Sequence, residues 1–335
     1  MRPRPRAWQL LLVVGVLFLL AAADGAAEAR RRGRPKRHGR RAQRAARVVR
    51  AIAPLTPQGL PNVQSHSALV MDLETGRMLY GKNPDRVRAI ASTGKIFIAM
   101  VARKKGIDLD GVTTITMDDA RNARGGSRTH LDVGESYGNL DLMRAMLIAS
   151  DNRAVTAVGR AAGLTPEQLV VELNALARDL GLERTSFTDP TGLNGNVSTA
   201  REMAIALEHA LDDPVLAELL GTKFASITRR SHKRARVIHY ANTNRMLHRQ
   251  RFHTLGGKTG YTKEAGYCLI SASLIRDHRL AFIFLGADGE LTRFADFNRV
   301  WDWMAANGHI PPDDVETAGS GDAPDVTAQK AEDSR

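Results

Sequence analysis

Ala91-Ser92-Thr93-Gly94-Lys95-Ile96-Phe97-Ile98-Ala99-Met100 sets a serine three residues ahead of a lysine, at the head of an apolar run. On a helix, positions i and i+3 share a face, so the spacing predicts that Ser92 Oγ and Lys95 Nζ meet. A serine hydroxyl is a weak nucleophile until a neighbouring base removes its proton. Lysine is such a base only when burial or a second cation lowers its pKa. By itself the pair is weak, because the same spacing occurs by chance on many solvated helices.

Two later stretches change its weight. Ser150-Asp151-Asn152 closes the apolar run Leu142–Ala149, and Lys258-Thr259-Gly260 follows Gly256-Gly257 and precedes Tyr261-Thr262. Ser-x-x-Lys, Ser-Asp-Asn and Lys-Thr-Gly stand here in that order, their first residues 58 and 108 positions apart. The trio resembles the signature of serine β-lactamases and penicillin-binding proteins.

Working outward, Ser67–Asp72 and Arg77–Tyr80 read as a hairpin around the turn Glu74-Thr75-Gly76. A helix is predicted from Ser92 to Lys104, with its positive end at the serine. Residues 114–139 read as irregular and polar. Helices follow over Leu140–Ala149, Arg153–Ala162 and Thr165–Leu180, the last opening on a threonine cap and Pro166. Another starts at Ser198-Thr199-Ala200. Gly266–Leu274 and Leu280–Gly286 alternate as paired strands, and the closing helix Leu291–Ala306 carries a core stripe of Phe294, Phe297, Val300, Trp301 and Met304. Strands early and late with a helical block between them predict an α+β fold, mostly antiparallel, with an inserted helical lobe.

The ends differ from the middle. Arg2, Arg4 and Arg6, the apolar run Trp8–Leu20 and small residues after it form the three parts of a signal peptide, assigned to residues 1–27. The rival reading is an uncleaved anchor, for which the run is short. Residues 28–60 read as a disordered basic linker and residues 311–335 as a disordered acidic tail, leaving 61–310 for the folded domain. Residues 1–50 hold 14 of the 48 lysines and arginines and two acids, Asp24 and Glu28, which accounts for the whole net charge of +12. The segment Arg30–Arg50 contains no acid, so contact with a polyanion or an anionic membrane is one reading and a solvated tether the other. Export to the periplasm or cell envelope argues against a nucleic-acid partner. The single cysteine, Cys268, lies in an apolar strand and reads as a buried small hydrophobe; no Cys/His cluster suggests a metal, and no cofactor is implied.

Residues 63–308 resemble the D-alanyl-D-alanine carboxypeptidase/endopeptidase family of low-mass penicillin-binding proteins. Beyond the trio, the resemblance rests on Asp189-Pro190-Thr191-Gly192-Leu193-Asn194, Ser198-Thr199-Ala200-Arg201-Glu202-Met203, Asn242-Thr243-Asn244-Arg245 and the run from Lys258 to Gly266. It implies the β-lactamase/transpeptidase-like fold, peptidoglycan as substrate and β-lactams as inhibitors. It also implies roles: Ser92 as nucleophile, Lys95 as general base, Ser150 as proton relay to the leaving amine, and Asn152 as a partner of Lys95 or of the substrate amide. Lys258 would supply positive charge, Thr259 would bond a substrate carboxylate, and the N–H groups of Ser92 and Tyr261, beside Gly260, would form an oxyanion hole. The short outline and the wording around Lys258 resemble the endopeptidase branch. Two other readings stay open: a class A β-lactamase, which needs a deacylating glutamate for which Glu183 is the candidate, and a wall-binding module without catalysis.

Overall fold

The computed structural model describes residues 52–127, 129–230 and 236–310. Residues 1–27, read as a signal peptide, the segment Arg30–Arg50 and residues 311–335, read as an acidic tail, lie outside them. The strands, in chain order, are β1 Ser67–Asp72, β2 Met78–Lys82, β3 Arg88–Ala89, β4 Val112–Thr114, β5 Ser136–Gly138, β6 Val197–Ser198, β7 Phe224–Arg229, β8 Arg236–Ala241, β9 Thr254–Thr262, β10 Gly266–Ile275 and β11 His278–Ala287. Five of them form one sheet in the order β2-β1-β11-β10-β9, with every pairing antiparallel.

Both faces of this sheet are buried, and the period of two along each strand decides which side chain goes where. In β11, Ala281, Ile283 and Leu285 face a core shared with helices Lys95–Lys104, Asn139–Ile148, Arg153–Ala161, Pro166–Asp179 and Ala200–Asp212. Leu280, Phe282 and Phe284, between them, face a second core with Phe294, Phe297, Val300 and Trp301 of helix Thr292–Ala306. The expected apolar stripe of that helix is therefore core. Burying a Leu- or Phe-sized side chain contributes about 1.5–3 kcal/mol each, so the two clusters dominate the stability of the fold. Cys268 is free and fully buried, and burial pushes its thiol up to about 11.

The helical block has the expected caps. Thr165 and Gln168 form a reciprocal capping box with Pro166 in the first turn, and Thr199 Oγ1 accepts from Glu202 N at 3.1 Å. Three expectations are corrected. Residues 114–139 are not irregular throughout: helix Met117–Asn122 starts on a Thr116/Asp119 capping box, and β4 pairs with β5. The polar composition that suggested a loop supplies the cap itself. Residues 53–60, placed with the linker, are hydrogen bonded. Asn62 N donates to Pro54 O at 2.9 Å, and Trp303 Nε1 donates to Gly59 O at 3.0 Å, which ties them to the closing helix. The third concerns the turn that carries Ser92.

Candidate active site

Ser92 does not sit on an α-helix. Ala91–Gly94 is a 3-10 turn, and the α-helix begins at Lys95. Ala91 enters this turn at φ +48, and Thr93 Oγ1 donates to Ile90 O at 2.6 Å. The turn is pressed against β9. A Cβ at Gly260 would lie 2.9 Å from Ser92 N and 3.0 Å from Thr93 N, so only glycine lets the strand backbone approach. This close contact explains a glycine after Lys258-Thr259 and places the backbone of Gly260 and Tyr261 beside the Ser92 N–H.

Lys95 is fully buried, and its ammonium is turned toward the Ser-Asp-Asn loop. Nζ donates to Ser150 O at 2.7 Å, to Ser150 Oγ at 3.3 Å and to Asn152 Oδ1. It makes no hydrogen bond to Ser92 Oγ, although the spacing allows the two to meet. Helical spacing constrains Cα positions, but the ammonium goes where the strongest acceptors lie. Burial pushes Lys95 down to about 7, and the negative charges of Asp151 and Asp189 partly oppose this.

The loop presenting Ser150 is strained. Ser150 has φ +62, a left-handed conformation that costs a non-glycine residue about 1–2 kcal/mol. Asp151 holds it there from behind, accepting from Thr129 Oγ1 at 2.7 Å and Arg153 N at 2.9 Å. Asp151 therefore fixes the loop, while Ser150 and Asn152 face inward. Asn152 has room only because residue 126 lacks a side chain: a Cβ there would fall 1.7 Å from Asn152 Nδ2. Gly126→Ala is expected to displace the Asn152 amide and lower the acylation rate about 10- to 100-fold, because misplacing a positioning group costs that much. Stopped-flow acylation by a chromogenic β-lactam checks this; a rate within twofold of wild type would show that Asn152 does not fix Lys95.

Lys258 is fully buried too, and its Nζ donates to Thr259 O at 2.9 Å. Burial, then repulsion from Lys95 and Arg293, pushes its pKa well below the ordinary value. It does not line the cavity. Ser92, Ser150, Asn152, Thr259, Gly260 and Tyr261 do, around a volume of about 630 Å³. Seven of the eight residues singled out in the sequence thus meet at or directly behind one cavity wall, Ser92, Lys95, Ser150, Asn152, Thr259, Gly260 and Tyr261, and Lys258, next to Thr259 on β9, is buried away from it.

Two contributors were not read from the sequence as site residues. Thr243 accepts from Thr259 Oγ1 at 2.7 Å and shares the cavity wall. Arg293, nearly buried, donates from Nη1 to Gly260 O at 2.9 Å and Cys268 O at 3.1 Å, while its guanidinium lies 5.2 Å from the Tyr267 ring centre. It is tied to β9 through Gly260 O and, with Arg245, lines the cavity as a cation. The signal for it was present: Arg293 stands four and seven residues before Phe297 and Val300, a charge on the apolar face of its helix. Among the described residues, Asp72, Glu74 and His278 form a cluster with metal-ligand chemistry, but Glu74 is engaged by Arg279 at 2.8 Å and the cluster lies between the β1–β2 turn and the start of β11.

The chain matches the family described as D-alanyl-D-alanine carboxypeptidase over residues 54–289. The chain belongs to that family. A D-alanyl-D-alanine endopeptidase of Pseudomonas aeruginosa is 33% identical over 256 residues, 75% of this chain and 82% of the relative. One of Escherichia coli is 30% identical over 263 residues, 77% and 83%. Among solved structures, the Streptomyces K15 DD-transpeptidase superposes with a TM-score of 0.68 at 25% identity, covering 73% of this chain and 98% of that one. These agree with the resemblance read from the motifs, and with the α+β penicillin-binding fold of this family member.

Proposed function

We propose that this serine DD-peptidase hydrolyses D-alanyl bonds in peptidoglycan stem peptides through an acyl-enzyme on Ser92, with cross-link cleavage as its preferred reaction. One observation carries the reading: a lysine brought near neutrality by burial lies within 3.3 Å of Ser150 Oγ, behind the wall that holds Ser92. Ser92 Oγ attacks the carbonyl carbon of the penultimate D-alanine and its proton passes to Lys95. The oxyanion is held by the N–H groups of Ser92 and Tyr261, which cost no reorganisation because the Gly260 contact fixes them. The C–N bond breaks, and the leaving amine takes a proton through Ser150 Oγ. Water then attacks the ester and frees Ser92. Thr259 and Arg293, which line the cavity, supply hydrogen bonding and positive charge for a carboxylate on the leaving side. β-Lactams acylate the same serine.

The endopeptidase preference draws on the two relatives so named. The β-lactamase reading loses its support, because Glu183 is exposed and lines no part of the cavity. Digestion of purified peptidoglycan followed by mass analysis tests the reaction: cross-linked dimers should fall to monomers faster than pentapeptides lose one alanine. Release of neither product would sink the reading.

The pattern of residues 1–27 supports export to the periplasm, and among the described residues no helix is long and apolar enough to cross a membrane. The segment Arg30–Arg50 is read as a contact for anionic membrane or wall polymer, at about 1 kcal/mol per engaged basic residue. Deleting it should weaken co-sedimentation with anionic liposomes at low salt and leave hydrolysis of a soluble D-Ala-D-Ala peptide unchanged. Equal binding by both proteins at every salt concentration would make the segment a tether only.

A further inference from the structure

From Leu219 to Lys263 the chain carries eleven lysines and arginines and no acid. Within that stretch lies a second cavity of about 460 Å³, which shares no lining residue with the first. Lys223, Arg249, Arg251 and His253 line it together with Phe252 and Trp301, and no carboxylate does. Arg251 is paired with Asp302, whereas the side chains of Lys223 and Arg249 are exposed and have no partner among the described residues. Trp301 is 1% exposed, and its Nε1 is buried without an acceptor. Folding gains nothing from gathering like charges, and a wall with several cationic donors and no carboxylate is complementary to an oxyanion.

The two cavities flank one segment. Asn242, Thr243 and Arg245 line the first, and Leu247 and Arg249 line the second. Asn242 is also tied to the β7 entry, donating from N to Lys223 O at 2.8 Å and from Nδ2 to Thr222 O at 2.9 Å. A ligand in the second cavity is thus held next to the wall of the first.

We propose that the second cavity is an exosite that binds a carboxylate of a neighbouring stem peptide on the same peptidoglycan strand, so that the polymer is gripped at two points. This rests on the substrate reading above. Stem peptides are acidic, and a second weak contact on a tethered substrate raises its apparent affinity without touching the chemistry.

The test is the full-length double variant Lys223→Gln/Arg249→Gln. KM for soluble polymeric peptidoglycan should rise about fivefold or more, the loss of two charge-assisted contacts, with kcat unchanged. Hydrolysis of a small D-Ala-D-Ala peptide and acylation by penicillin should stay within twofold, and Lys223→Arg/Arg249→Lys should restore the polymer KM. In a Ser92→Ala background, co-sedimentation with peptidoglycan should weaken on the same substitutions, a readout that needs no cleavage. An unchanged polymer KM, or an equal loss on the small peptide, overturns the exosite. Stronger competition by inorganic phosphate than by a free acidic stem tetrapeptide, at matched ionic strength, overturns the carboxylate occupant. Failure of the wild-type protein to cleave any D-alanyl bond is a separate result and bears on the substrate reading alone.

Discussion

Ser92→Ala is expected to abolish the covalent adduct that penicillin forms with this protein. Ser92, the nucleophile proposed above, lines the 630 Å³ cavity together with Ser150 and Asn152. The other cavity hydroxyl beside Lys95, Ser150, already accepts from its ammonium and sits in a strained loop facing the leaving-group side. Alanine leaves the Gly260 contact and both lysines in place, so the variant should fold, bind peptidoglycan and do nothing more. Loss of a catalytic nucleophile lowers turnover by about 10⁴-fold or more. Intact-protein mass spectrometry after incubation with penicillin reads the outcome. An adduct of equal yield in the variant would move the nucleophile elsewhere.

Lys95→Arg should be nearly as severe although the charge is kept. Arginine stays protonated in proteins and cannot accept the Ser92 proton. Its larger planar head also has no room in a site where Lys95 is fully buried among Ser150 O, Ser150 Oγ and Asn152 Oδ1. A fall of about 10³-fold in acylation is expected, within the range for a lost general base. The wild-type pH profile carries the same information. The neutral amine is the active form, so acylation should be slow below the Lys95 pKa, rise as pH passes about 7 and level off above it. The variant should lack that rising limb. A limb that survives in Lys95→Arg would mean that another group takes the proton.

Much of this was legible in the sequence, and for local reasons. Alternation along β10 and β11, the 3.6-residue stripe of the closing helix and the Thr165-Pro166 cap depend on a few neighbouring residues, so they survive into the fold unchanged. The three short motifs named the cavity residues because each is contiguous. Other features were decided in three dimensions. Thr254–Thr262 has six residues that are glycine or threonine and little apolar signal, and it is a strand because β10 pairs with it. Ser-x-x-Lys spacing does not distinguish a 3-10 turn from an α-helix; the turn forms where Ala91–Gly94 packs against Gly260 of β9. Arg293 joins the site from 35 residues beyond Lys258 because, at the start of helix Thr292–Ala306, its guanidinium reaches Gly260 O on β9. The sequence determined which residues carry the chemistry. Only the tertiary structure brought Lys95 down to about 7, since a lysine's pKa is set by the water it loses and the charges it meets, and both come from residues remote in the chain.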